Sequence, residues 1–215
     1  MNIIEKKIQV NKTATYYTIL PGSSEVKDVW IVIHGYAQLA KDFIHEFEFL
    51  SDSKTLIAAP EGLSKFYFRD KIGASWMTKE DRENEIGDYL NYLDKLFNEL
   101  KSNFNFKIED VEVNLLGFSQ GVHTAVRWFT HTDERIKRLI LYSSDFPTDA
   151  DFNKLKDKLV NSEMFFIYGT KDEIIGQKRL QETQQLLREH EINFTKMTFD
   201  AGHKIEKTVL RKIIK

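Results

Sequence analysis

Short apolar runs alternate along this chain with longer stretches whose apolar positions recur every three or four residues. The runs at 29–33 (VWIVI), 55–59 (TLIAA), 111–116 (VEVNLL), 138–143 (RLILYS), 164–168 (MFFIY) and 194–199 (FTKMTF) are rich in branched and aromatic side chains and predict strands. Between them, 40–50 places Phe43, Phe47 and Leu50 on one helical face, and 80–101 spaces Ile86, Leu90, Leu93, Leu96, Phe97 and Leu100 as a long helix requires. Residues 120–130 bring Val122, Ala125, Val126 and Phe129 to one side, and further helices are expected near 151–160, near 176–190 and at the C-terminal end. Residues 13–20, with 3–10, read as an N-terminal hairpin; 63–78 shows no clear period. Near-continuous apolar strands alternating with helices predict an α/β fold, a mostly parallel central sheet with helices on both faces. Such sheets form their sites beyond the carboxyl ends of the strands.

Composition narrows this picture. The 215 residues carry no linker, repeat or low-complexity stretch and only three prolines, so a single domain over 1–215 is expected. Hydrophobic residues make up 41% and charged residues 30%, a globular rather than a disordered balance. Lysine and arginine number 31 against 33 acidic residues, which gives no support for a nucleic-acid partner. The longest apolar runs are five residues, against the roughly 20 that a membrane-spanning helix needs. The N-terminal residues lack the apolar stretch of a signal peptide. Cysteine is absent, which excludes disulfides, thiolate metal sites and a cysteine nucleophile, and fits a cytoplasmic location.

Candidate chemistry begins at Gly117-Phe118-Ser119-Gln120-Gly121, which follows the strand at 111–116 and opens a helix. This is G-x-S-x-G in the strand–turn–helix context that projects a serine hydroxyl above a sheet. A serine nucleophile needs a base, and the base needs an orienting carboxylate, in the chain order serine, acid, histidine. Of the four histidines that follow Ser119, three are weighed as the base. His123 lies one turn into the next helix, His131 near its end, and His203 directly after the last strand, on the correct edge of the sheet. His203 is therefore the expected base. Asp172, after the strand at 164–168, is the expected acid; Asp145 and Asp149, after the preceding strand, are the runners-up. The oxyanion needs two N–H donors. One is expected from Gln120 and the other from Tyr36, in the His34-Gly35-Tyr36 loop, where His34 is expected to have a structural role.

Together these residues resemble the α/β-hydrolase superfamily, and within it the small phospholipase/carboxylesterase family that includes the acyl-protein thioesterases. The resemblance runs from Val29 to His203 and rests on IVIHGYAQLAKDF, APEG, GASWMTKE, LLGFSQG, YGTKDEII and AGHKI. It implies Ser119, Asp172 and His203 as the triad, Tyr36 and Gln120 as oxyanion donors, and Trp76 in the substrate pocket, with its neighbour Met77. The chain departs from the family at Tyr36-Ala37-Gln38, where the family is richer in glycine, and at Trp76-Met77-Thr78, where the family has an acidic residue shortly after its tryptophan.

The expected reaction is hydrolysis of a small-molecule carboxylic ester or thioester through an acyl-serine intermediate, with no metal or cofactor. Only residues 143–149 separate the strand at 138–143 from the next helix, too few for a cap domain, so an open site suited to short- or medium-chain acyl groups is expected. Phe66, Tyr67, Phe68, Trp76 and Met77 are candidate walls of an acyl pocket, or core filling beneath a long loop. The same constellation accommodates a serine peptidase or amidase, and the fold alone accommodates a non-catalytic binding protein.

Overall fold

The structure is a computed structural model and describes residues 2–214, the side chain of Phe68 excepted. In chain order the elements are β1 (Tyr16–Ile19), β2 (Asp28–Ile33), α1 (Ala40–Phe43), β3 (Thr55–Pro60), β4 (Ser64–Phe68), β5 (Lys71–Ser75), α2 (Arg82–Phe104), β6 (Glu112–Phe118), α3 (Gln120–His131), β7 (Arg138–Tyr142), α4 (Phe152–Leu159), β8 (Glu163–Gly169), α5 (Gln177–Glu189), β9 (Thr195–Phe199) and α6 (Lys207–Leu210). Seven strands form one sheet in the order β1-β3-β2-β6-β7-β8-β9. All its pairings are parallel except the edge pair of β1 with β3.

The strands read as continuous apolar runs because both faces are covered. Along β2, Val29, Ile31 and Ile33 join the cluster that buries Leu93, Phe97, Val126 and Phe129 of α2 and α3. Trp30 and Val32 turn to the opposite cluster, with Phe43, Phe47, Val209 and Leu210. This two-residue alternation fixes register, since a slip of one residue would exchange the two cores.

Several expectations need correction. Residues 3–10 form no strand; β1 pairs instead with β3, from Tyr16 opposite Pro60 to Ile19 opposite Ile57. Buried β3 offers an adjoining ladder, whereas Ile3, Ile4, Ile8 and Val10 remain exposed. The stretch 63–78 contains a hairpin, β4 with β5, whose turn is made by Arg69 at φ 55°. Its short strands, with Gly73 and three charged residues at the turn, obscure the period in sequence. The helix expected over 40–50 is α1 continued by a 3₁₀ helix at Ile44–Leu50. The connection from β7 to α4 is a short loop. Among the described residues no helix is long and apolar enough to cross a membrane.

Candidate active site

Ser119 stands between the end of β6 and the start of α3 with φ 53° and ψ −124°. An L-residue held there is strained, and the strain persists only because the surroundings impose it. Its N–H donates to the Tyr142 carbonyl at 2.9 Å, and its own carbonyl accepts from the Val122 N–H at 2.9 Å. Both flanking glycines are required by close approach. A Cβ on Gly121 would lie 2.3 Å from the Ile33 carbonyl oxygen, and one on Gly117 would lie 2.4 Å from the Gly121 carbonyl oxygen. The G-x-S-x-G spacing thus lets α3 start directly against β2 and turn the serine out.

His203 reaches the carboxyl edge in the loop after β9. Its Nδ1 bonds Asp172 Oδ2 at 2.8 Å, and its ring packs against Phe118, the residue before Ser119, with centroids 4.8 Å apart. Asp172 is 2% exposed. Its other oxygen accepts the N–H groups of Ile174 at 3.1 Å and Ile175 at 3.2 Å. Three donors on a buried carboxylate satisfy it as an anion, so the imidazole donates from Nδ1 and keeps Nε2 free to take a proton.

The runner-up carboxylates are engaged elsewhere. Asp145 accepts from His123 Nε2 at 2.9 Å, and this bond holds it below the usual carboxylate range against the opposing effect of burial. Asp149 bridges Arg127 at 2.7 Å and Arg82 at 2.6 Å. Burial pushes its pKa up, but the two guanidinium groups outweigh that and hold it well below the ordinary value. His131 pairs with Asp94 at 3.1 Å on the outer surface.

The loop after β2 is held from several sides. His34 is fully buried, its Nδ1 bonding the Gly35 carbonyl at 2.7 Å while its Nε2 accepts the Gly62 N–H at 3.0 Å. That pairing requires a neutral ring protonated at Nδ1, and burial lowers its pKa accordingly. The N–H of Gly35 donates to Gln38 Oε1 at 2.7 Å, that of Ala37 to the Ala74 carbonyl at 2.9 Å, and that of Gln38 to the Gly35 carbonyl at 3.3 Å. Glu61, 3% exposed, accepts the first N–H of α1, from Ala40, at 2.9 Å and pairs with Lys65 at 2.5 Å. The Gln120 side chain clasps the segment after β5: Oε1 accepts the Trp76 N–H at 3.2 Å, and Nε2 donates to the Met77 carbonyl at 3.2 Å. Sequence reasoning missed Glu61 and the amide of Gln120 as braces; the APEG and GFSQG segments that contain them were the available signal.

A cavity of about 700 Å³ opens beside these groups. Ser119, Phe118 and His203 line it together with Gly35, Tyr36 and Gln38. Trp76 and Met77, expected in the substrate pocket, are not part of this lining. Trp76 is 1% exposed, its indole N–H donating to the His34 carbonyl at 2.9 Å, and its ring lies 5.2 Å from that of His34. It supports the loop after β2 from beneath, because an indole with one polar atom is best buried where that atom has a partner. Met77 is partly buried, with its sulfur 3.8 Å from Arg127 Nη1. Phe66 stacks on Tyr36 at 5.1 Å, Tyr67 is exposed, and the side chain of Phe68 lies outside the described residues.

The sequence model of the phospholipase/carboxylesterase family matches residues 14–215. The chain belongs to that family. It is a carboxylesterase-type hydrolase with the α/β-hydrolase fold. The esterase PE8 superposes with a TM-score of 0.71 at 20% identity, over 94% of this chain and 96% of that one. Acyl-protein thioesterase 2 of Zea mays gives 0.69 at 14% identity, over 94% and 96% of the two chains. The Bacillus cereus carboxylesterase gives 0.66 at 16% identity, over 94% and 92%. A comparison with curated protein sequences gave no match.

Proposed function

We propose that this hydrolase cleaves carboxylic esters or thioesters through an acyl-serine intermediate, with Ser119 as nucleophile, His203 as base and Asp172 as the acid that orients it. The observation that carries this reading is the 2.8 Å bond from buried Asp172 to a histidine that shares a cavity with Ser119. His203 Nε2 takes the proton from Ser119 Oγ as the oxygen attacks the acyl carbon. The imidazolium that forms is stabilised by Asp172, and it returns the proton to the leaving oxygen or sulfur as that bond breaks. Water then repeats the sequence on the acyl-serine. The backbone N–H groups of Tyr36 and Gln120 are assigned to the oxyanion, since the other amides of the loop, at Gly35, Ala37 and Gln38, already have partners. A fluorophosphonate probe should label the wild-type protein at Ser119, and labelling should vanish in Ser119→Ala together with ester hydrolysis. Labelling elsewhere, or hydrolysis that survives in Ser119→Ala, would contradict the assignment.

A further inference from the structure

A base that returns its proton to the leaving atom decides which side of the site the leaving group occupies. In the reaction proposed above, the alcohol oxygen or thiol sulfur must sit against the His203 imidazole when its bond to the acyl carbon breaks. Part of the cavity's lining belongs to that same side: Lys204, Ile205, Glu206 and Lys207, which follow His203 in the chain, line it together with Phe43 and Glu46. Its floor is apolar, for Phe43, Phe118 and Ile205 all belong to the buried cluster beneath. Lys207 and Glu46, both in the lining, pair with each other at 3.9 Å and are both about half-exposed. Glu206 is committed to capping α6, with its carboxylate accepting from Thr208 Oγ1 at 2.9 Å and pairing with Lys204 at 3.5 Å. The volume of about 700 Å³ is that of a pocket for an extended small molecule.

We propose that this cavity is a leaving-group pocket with the Glu46–Lys207 pair as its end wall, so that the enzyme selects substrates by the alcohol or thiol released more than by the acyl chain. The substrate class is an ester or thioester whose released part is extended, apolar along its length, and tipped by a polar group that meets Glu46 and Lys207. An exposed ion pair contributes little to stability, so such a tip displaces it at small cost. The inference rests on the hydrolase reading above.

The test uses two substrate series with the purified full chain. In one, butyrate is esterified to ethanol, butanol, hexanol and 1,6-hexanediol, alcohols of similar acidity; in the other, ethyl esters run from acetate to octanoate. The value of kcat/KM should rise about two- to fourfold per added methylene along the alcohol series. Over the whole acyl series it should change by less than about threefold. Glu46→Trp, at an exposed position, should lower the hexyl-to-ethyl ratio about tenfold. Lys207→Ala should move the optimum to longer alcohols, with thermal melts confirming that both variants fold. A steep acyl series with a flat alcohol series, or ratios that neither variant moves, overturns the inference. If the wild type is labelled at Ser119 and active but indifferent to the alcohol, only this inference fails. If it is neither labelled nor active on any ester, the hydrolase reading fails and takes this one with it.

Discussion

Ser119 occupies a backbone region that costs an ordinary residue about 1–3 kcal/mol, and the cost is imposed by contacts of its neighbours rather than by its own hydroxyl. Ser119→Ala should therefore fold with unchanged thermal stability while ester turnover falls by about 10⁴–10⁶, measured as kcat on a soluble ester. Of the three candidate carboxylates after β7 and β8, Asp172 and Asp145 each bond a histidine. Asp172→Asn loses the anion that fixes the His203 tautomer, and turnover should fall by about 10⁴. Asp145→Asn removes a bond to His123 and should leave turnover within about tenfold of wild type. The reverse ranking in a side-by-side kinetic comparison would place the acid at Asp145.

At the scale of elements, the carboxyl edge is held together by a few side chains that reach between strands, helices and loops. Asp149, in the loop after β7, ties Arg82 at the start of α2 to Arg127 in α3. Arg127 is only 8% exposed, so Asp149→Asn leaves a buried guanidinium without its anion. Urea unfolding should report a loss of about 1–3 kcal/mol, larger than for Glu191→Gln in the exposed Lys156–Glu191 pair. The contact between α3 and β2 is tighter still. Gly121→Ala places a methyl against the Ile33 carbonyl and should cost about 1–3 kcal/mol or more, with activity lost because Ser119 is carried by the displaced turn.

For the whole molecule, stability should depend on pH through His34 as well as through its carboxylates. Burial keeps the folded pKa of His34 below that of the unfolded chain, where a histidine titrates near about 6.5. Between the two values the unfolded chain binds a proton that the folded one refuses. The contribution of His34 is therefore complete above the unfolded pKa and is lost as pH falls toward the folded one, at no more than about 1.4 kcal/mol per pH unit. Gln in its place keeps a donor for Gly35 and an acceptor for Gly62 but does not titrate. The drop in unfolding free energy from pH 7 to pH 5 should thus be smaller in His34→Gln than in the wild type. Equal drops would remove His34 from the account.

What the sequence by itself determined was the alternation of buried strands and helices and the tight turn at Ser119, because each is written in local spacing: period two or continuous burial in strands, three to four in helices, glycines flanking a serine. Those local patterns placed β2, β3 and β6 to β9 and the long α2 within a few residues. What only the tertiary structure decided depends on which groups meet across long separations. Asp145, Asp149 and Asp172 are all loop aspartates after strands, ranked in sequence by position alone, and their partners His123, Arg127 and His203 appear only in the folded chain. Trp76 likewise reads as a pocket aromatic in sequence, while its indole bonds His34, 42 residues away, beneath the loop after β2. The hairpin expected for residues 3–10 was lost for the same reason: pairing is settled by which ladder is adjacent in space, and β3, buried beside β2, held that position for β1.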